Sequence, residues 1–183
     1  MNRIFPEQLS LSLARQPATL YFLVGEDPLL LAESQDVIQQ AAFKQGFDEK
    51  WVLEINPSTD WNALFERVQS MGLFFNKQCI LLDLPENPTA LLQKNLLEFV
   101  SLLHPDVLPI FRLAKLTKAT ENHAWFIAAN QYAPEAVLVN CQTPNVEQLP
   151  RWVTNRAKSL GLSIDEEAVQ LLCYSYENNL LAL

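Results

Sequence analysis

The chain is poor in cysteine and in positive charge, and it has no long apolar run. Its 183 residues include three cysteines, Cys79, Cys141 and Cys173, far apart and odd in number. No C-x-x-C pair offers a zinc site and no even set offers a disulfide framework, so the plain reading is reduced core thiols in a cytoplasmic protein. Thirteen Lys and Arg stand against 21 Asp and Glu, a formal net charge of −8. That balance argues against a chain that grips nucleic acid by itself, because neutralising phosphates takes Lys and Arg. No run approaches the roughly 20 apolar residues that span a bilayer, and MNRIFPEQLSLSL lacks the apolar core and small-residue cleavage site of a secretory signal. The two histidines give no catalytic arrangement. His104 precedes a proline and His123 lies on a polar stretch, and no His or carboxylate pair at i, i+4 suggests a metal site.

What is present is material for a core, with 49% hydrophobic residues and 19% charged. Apolar runs alternate with helical patterns, which predicts βαβ units and a parallel sheet. Five strands are expected, over 19–24, 51–55, 78–84, 107–113 and 136–141. Helices are expected over 6–14, 28–44, 89–103 and 119–130, with another after Asp60 that carries Trp61, Leu64, Phe65, Val68 and Met71 on one face. After Cys141 the pattern turns all-helical, over 146–160 and 166–183. A domain boundary is therefore placed near 141–145, with an α/β domain over 1–142 and a helical one over 143–183. The final helical pattern runs into an apolar LLAL without a cap, which reads as a cut inside a longer protein.

The segment TLYFLVGEDPLLLA is placed as a phosphate loop would be, between a first strand and a helix. A working loop needs G-x-x-x-x-G-K-[ST], whose backbone N–H groups and lysine cradle phosphates while the hydroxyl holds magnesium. Counting from Gly25, the second glycine, the lysine and the hydroxyl fall on Leu30, Leu31 and Ala32. The companion element, an apolar strand ending in two carboxylates, is CILLDL: Asp83 fills the first place and Leu84 the second. These residues predict neither ATP hydrolysis nor ATP binding. Arg112, Lys115 and Lys118 form a small basic cluster, read as a solvated loop or as a contact for phosphate or an acidic partner.

The most suggestive segment is QSMGLFF. Gly72 ends an amphipathic helix, and Leu73, Phe74 and Phe75 then crowd a short connection. Either all three fold back into the core, or an exposed aromatic-aliphatic pair serves as an interface anchor.

In order along the chain, FPEQL, GEDPLLL with Glu33-Ser34, DWN, LPEN, KLTK with Glu121-Asn122, AWF, CQTP, LPRW and NLLAL together resemble the delta subunit of the bacterial DNA polymerase III clamp loader over essentially the whole sequence. The resemblance implies an α/β fold of the P-loop NTPase/AAA+ type: a parallel five-stranded sheet flanked by helices, without a functional ATP site or cofactor. The segment from 143 would be the start of a small helical lid, and the family's C-terminal ring-forming domain would be absent. The implied role is non-catalytic. The subunit binds the sliding clamp (beta subunit) and opens its interface in DNA replication, as part of a polymerase holoenzyme whose nucleotidyltransferase activity lies elsewhere. Implied partners are the clamp and, in a full-length protein, the tau/gamma and delta prime subunits, with DNA contact indirect or weak. The family's apolar clamp contact carries over to Leu73 and Phe74, with Met71 beside them. Gln69 stands four residues before Leu73 where the general clamp-binding peptide has glutamine three before its Leu-Phe, so no glutamine contact carries over. Asn178 stands where relatives often have glycine, and asparagine tolerates the same left-handed turn. Two other readings stay open: a divergent P-loop ATPase, and a plain replication scaffold domain with Leu73 and Phe74 in its core.

Overall fold

A strand covered on both faces has no polar side to show, and residues 78–84 read that way. The computed structural model describes residues 1–70 and 76–183. Its strands are β1 (Asn2–Ile4), β2 (Tyr21–Val24), β3 (Glu49–Glu54), β4 (Gln78–Asp83), β5 (Val107–Leu113) and β6 (Val137–Asn140). They form one sheet in the order β1-β6-β2-β5-β4-β3, and every pairing is parallel. The helices are α1 (Pro6–Arg15), α2 (Pro28–Lys44), α3 (Trp61–Gln69), α4 (Ala90–Ser101), α5 (Lys118–Glu121), α6 (Ala124–Tyr132), α7 (Leu149–Ser159) and α8 (Glu166–Tyr176). This is the helix-flanked parallel sheet of an α/β fold, with six strands where five were expected. The sixth, β1, has three residues and buries only Ile4, which pairs with Val139. So short an edge strand leaves no period to read.

Alternation along each strand divides the core between the two faces. Phe22, Ile80, Leu82, Phe111 and Leu138 meet Val68 of α3, Leu96 and Phe99 of α4, and Trp125 and Phe126 of α6. The rings interlock: Phe111 lies 5.5 Å from Phe22 and 5.4 Å from Trp125 between centroids. Leu23, Leu81, Ile110 and Val139 point the other way, against Leu9, Leu30, Leu31 and Ile38, and the same cluster takes in Val153 of α7, Val169 of α8 and Leu180. The guanidinium of Arg156 also engages both carboxylate oxygens of Glu33, which ties α7 to α2.

Local chemistry sets the element ends. Asp27 caps α2 and Pro28 opens it. Two expected helices end otherwise. The one over 119–130 is broken at His123, whose extended backbone (ψ 139°) separates α5 from α6 and lets Trp125 and Phe126 turn into the core. The one over 166–183 stops at Tyr176, because Glu177 is extended (ψ 133°) and Asn178 takes the left-handed conformation (φ 62°) anticipated for it. Leu180 then folds back and is buried.

Candidate functional site

The carboxyl ends of parallel strands are where an α/β sheet presents a ligand crevice. Here the turn from β2 to α2 is only three residues, Gly25, Glu26 and Asp27. Gly25 has φ +144°, and a Cβ at this position would overlap the carbonyl of Cys141 and the nitrogen of Gln142. The loop is therefore pressed against the end of β6. Asp27 Oδ1 accepts the N–H groups of Leu29 and Leu30, each at 3.1 Å. Its Oδ2 accepts the Thr143 hydroxyl at 2.8 Å. The first-turn N–H groups that would face an anion at this helix end are thus taken by the protein's own carboxylate. Leu30 and Leu31, at the positions of the second glycine and the lysine, are buried in the core, and Ala32 is exposed.

At the end of β4, Asp83 lies 3.6 Å from the guanidinium of Arg112 on neighbouring β5. Partial burial pushes its carboxyl above the usual range, Arg112 pulls it back, and Glu54 adds to the rise. Lys115 pairs with Glu86. Two members of the basic cluster, Arg112 and Lys115, are therefore already matched by carboxylates. Among the described residues, no group of three or more His, Cys, Asp or Glu is placed to hold a metal ion, and no helix is long and apolar enough to cross a membrane.

At the opposite, amino-terminal edge of the sheet lie the described residues that flank the other segment singled out from sequence. Met71, Leu73 and Phe74 lie outside the described residues, and their flanks are described. On one side, α3 ends with its Val68 carbonyl accepting from His104 Nε2 at 3.0 Å. The Asp106 N–H approaches His104 Nδ1 at 3.4 Å, so the two contacts together select the Nε2–H tautomer. Arg67, one helical turn before Ser70, donates from Nη2 to Glu49 Oε2 at 2.6 Å and from Nε to buried Gln78 Oε1 at 3.0 Å. Its guanidinium lies over the Trp51 ring, with Cζ 3.4 Å from the ring centroid. Desolvation lowers the Arg67 pKa and Glu49 opposes that fall. On the other side, Asn76 donates to Glu49 Oε1 at 2.8 Å.

Sequence reasoning missed Glu49, Arg67, Asn76 and Gln78, which come from three separate stretches of the chain. It also missed the role of Asp27, although an aspartate directly before a proline is a readable helix start.

A family model described as DNA polymerase III, delta subunit, matches residues 21–142. The DNA polymerase III subunit delta of Haemophilus influenzae is 61% identical over 183 residues, and that of Escherichia coli K12 is 52% identical over 184. Each alignment covers 100% of this chain and 53% of the relative, so the chain spans about half the length of the curated relatives it matches. Among solved structures, a Rhizobiales Trip13 aligns with 92% of this chain and 61% of its own, at 16% identity and a TM-score of 0.48. With its family match covering most of the α/β sheet and relatives of this identity along its whole length, the chain belongs to the DNA polymerase III delta subunit family.

Proposed function

We propose that this chain serves DNA replication as the clamp-binding part of a clamp-loader subunit. Leu73 and Phe74, with Met71 beside them, enter an apolar pocket on the sliding clamp, and neighbouring contacts strain the clamp interface open. Family membership supports the replication role. The observation that carries the reading further is the self-filled anion site at α2. Asp27 occupies the first-turn N–H groups, and the lysine and hydroxyl of a phosphate loop are replaced by Leu31 and Ala32. On this reading the subunit neither binds nor hydrolyses ATP and leaves that work to tau/gamma neighbours, with delta prime completing the assembly. DNA contact is secondary, in keeping with the net charge of −8 and with the carboxylates already paired to Arg112 and Lys115.

The test is clamp affinity of Leu73→Ala and Phe74→Ala in a folded protein. Each truncation is expected to cost about 2 kcal/mol, about thirtyfold in Kd. Unchanged affinity would sink the proposal. A magnesium-dependent ATP isotherm on the wild-type protein would favour a divergent ATPase instead.

A further inference from the structure

The two edges of the sheet differ in length. β1 offers three residues, whereas β3, at the other end of the strand order, offers six. All six run in continuous parallel register with β4, from Glu49 opposite Gln78 to Glu54 opposite Asp83. The ladder to β4 has a definite phase. The Glu49 N–H reaches the Lys77 carbonyl and the Ile55 N–H reaches the Asp83 carbonyl, so Glu49, Trp51, Leu53 and Ile55 commit their backbone groups inward. Lys50, Val52 and Glu54 therefore turn their N–H and C=O groups outward, where no strand among the described residues pairs with them. Side chains follow the pleat. Lys50, Val52 and Glu54 share the face of Cys79 and Leu81, and there Lys50 Nζ donates to Gln39 Oε1 of α2 at 3.3 Å. Trp51 and Leu53 take the opposite face. The centre of the edge is apolar and open, with Trp51 39% and Val52 55% exposed. Sheet edges are ordinarily blunted by charge or proline, but EKWVLE has no proline and carries its charges only toward its ends.

The order of side chains along this edge is its own complement. In an antiparallel pair centred on Val52, Val52 faces Val52 of the second copy, Lys50 faces Glu54, and Trp51 faces Leu53. The last two pairings each occur twice. The outward residues fall opposite one another in this register, so each of their pairs exchanges both backbone hydrogen bonds. Opposite charges and aromatic-aliphatic pairs across strands stabilise such a ladder. A slip of two residues sets Glu54 against Asp48, or Val52 against Glu54, and the match is lost.

We propose that β3 is a self-pairing edge: a second copy of this chain adds its own β3 antiparallel across a two-fold axis at Val52, so that one sheet runs through both copies. The interface is isologous, which closes the pair and stops further growth at this edge. Its area is small, so the association is weak and depends on concentration. The proposal stands apart from the reading that Leu73 and Phe74 contact the clamp.

The experiment is sedimentation equilibrium of the full-length subunit, with the thermal midpoint of each variant measured beside it. The wild-type protein is expected to pass from monomer to dimer mass with a half-point of about 100 μM. Lys50→Glu sets carboxylates against each other at both charged pairs, and Glu54→Lys sets ammonium groups against each other. Each is expected to weaken the dimer about tenfold or more. An equimolar mixture of the two variants is expected to associate as the wild type does, because every charged pair between unlike copies is again opposite in sign. Val52→Pro removes an outward N–H that the ladder to β4 does not use, and is expected to abolish the dimer with the thermal midpoint nearly held. Should Lys50→Glu unfold, since it also loses the Gln39 contact, Glu54→Lys and Val52→Pro carry the test by themselves. A wild-type protein that stays monomeric at about 1 mM, well above the expected half-point, would overturn the proposal. So would a dimer that Glu54→Lys and Val52→Pro leave unchanged, which would place the contact on another surface. A mixture of folded Lys50→Glu and Glu54→Lys proteins that associates no better than either alone would also overturn it, because the register centred on Val52 would then be wrong.

Discussion

Asp27 Oδ2 accepts a hydrogen bond from the Thr143 hydroxyl at 2.8 Å, across 116 residues of sequence. The contact joins the turn after β2 to the chain just beyond β6. The same buried carboxylate caps α2, so one side chain serves both a helix start and a long-range tie. Asp27→Ala is expected to destabilise the fold by about 2 kcal/mol, through loss of the cap and an unpaired Thr143 hydroxyl. Thr143→Val should cost about 1 kcal/mol, and the two should fall short of additivity in a denaturant-unfolding cycle. Strict additivity would mean that the contact contributes nothing.

Gly25→Ala should cost about 3 kcal/mol or more. The added Cβ meets backbone of Cys141 and Gln142, which cannot rotate away, and φ +144° is strained for any other residue. A lower denaturant midpoint with an unchanged slope is the expected signature. A midpoint equal to wild type would contradict the close approach.

Burial pushes the Cys79 thiol up to about 12 and the Cys141 thiol up to about 11, and Cys141 also donates weakly to Ser34 Oγ at 3.6 Å. Cys173 is raised too, by desolvation, but is partly exposed. At pH 8, a thiol reagent should label one cysteine in the native protein, slowly, and three after unfolding. Because the folded-state values lie above the unfolded ones, the protonated thiols' contribution to stability holds below the unfolded thiol range. It is lost as pH rises through about 11 to 12, where stability should fall. Rapid native labelling of Cys79 would refute the packing of that face.

Asp83 gives a pH test with the opposite starting point from a salt-bridged carboxylate of the usual kind. Its folded pKa is raised, chiefly by burial, so its favourable contribution is complete below the unfolded carboxylate range and is lost as pH rises through the raised value. Relative to wild type, Asp83→Asn should therefore gain stability as pH climbs from the acid range toward neutrality. A stability difference that stays flat or shrinks over that interval would show that Arg112 outweighs desolvation.

The parts of the fold legible in sequence are those with strong local signals. Residues 78–84 and 107–113 are largely apolar runs, and α2 is framed by Pro28 at one end and Gly46 at the other. What escaped is short or non-local. The three residues of β1 carry no period, and the break at His123 comes from Trp125 and Phe126 being drawn into the core against a continuous helical pattern. Asn178 shows the limit of local reading: its tolerance for a left-handed turn was visible, but its use to end α8 depends on Leu180 finding the core. The candidate site divides in the same way. The apolar substitutions at Leu30 and Leu31 follow from counting, whereas Glu49 meets Arg67 and Asn76 across 18 and 27 positions, for which sequence periodicity has no trace.

The three-residue turn from β2 to α2 also bears on how the fold can change. A phosphate loop needs eight residues from its first glycine to its hydroxyl, and here the last five of those positions already lie within α2. Placing glycine, lysine and serine at Leu30, Leu31 and Ala32 would remove two core leucines while leaving Asp27 in the anion site. Building a nucleotide site here would take inserted chain and a retreat of α2 from Cys141, several changes that must arrive together. The turn thus closes off that site, since each of those changes made alone passes through a less stable protein.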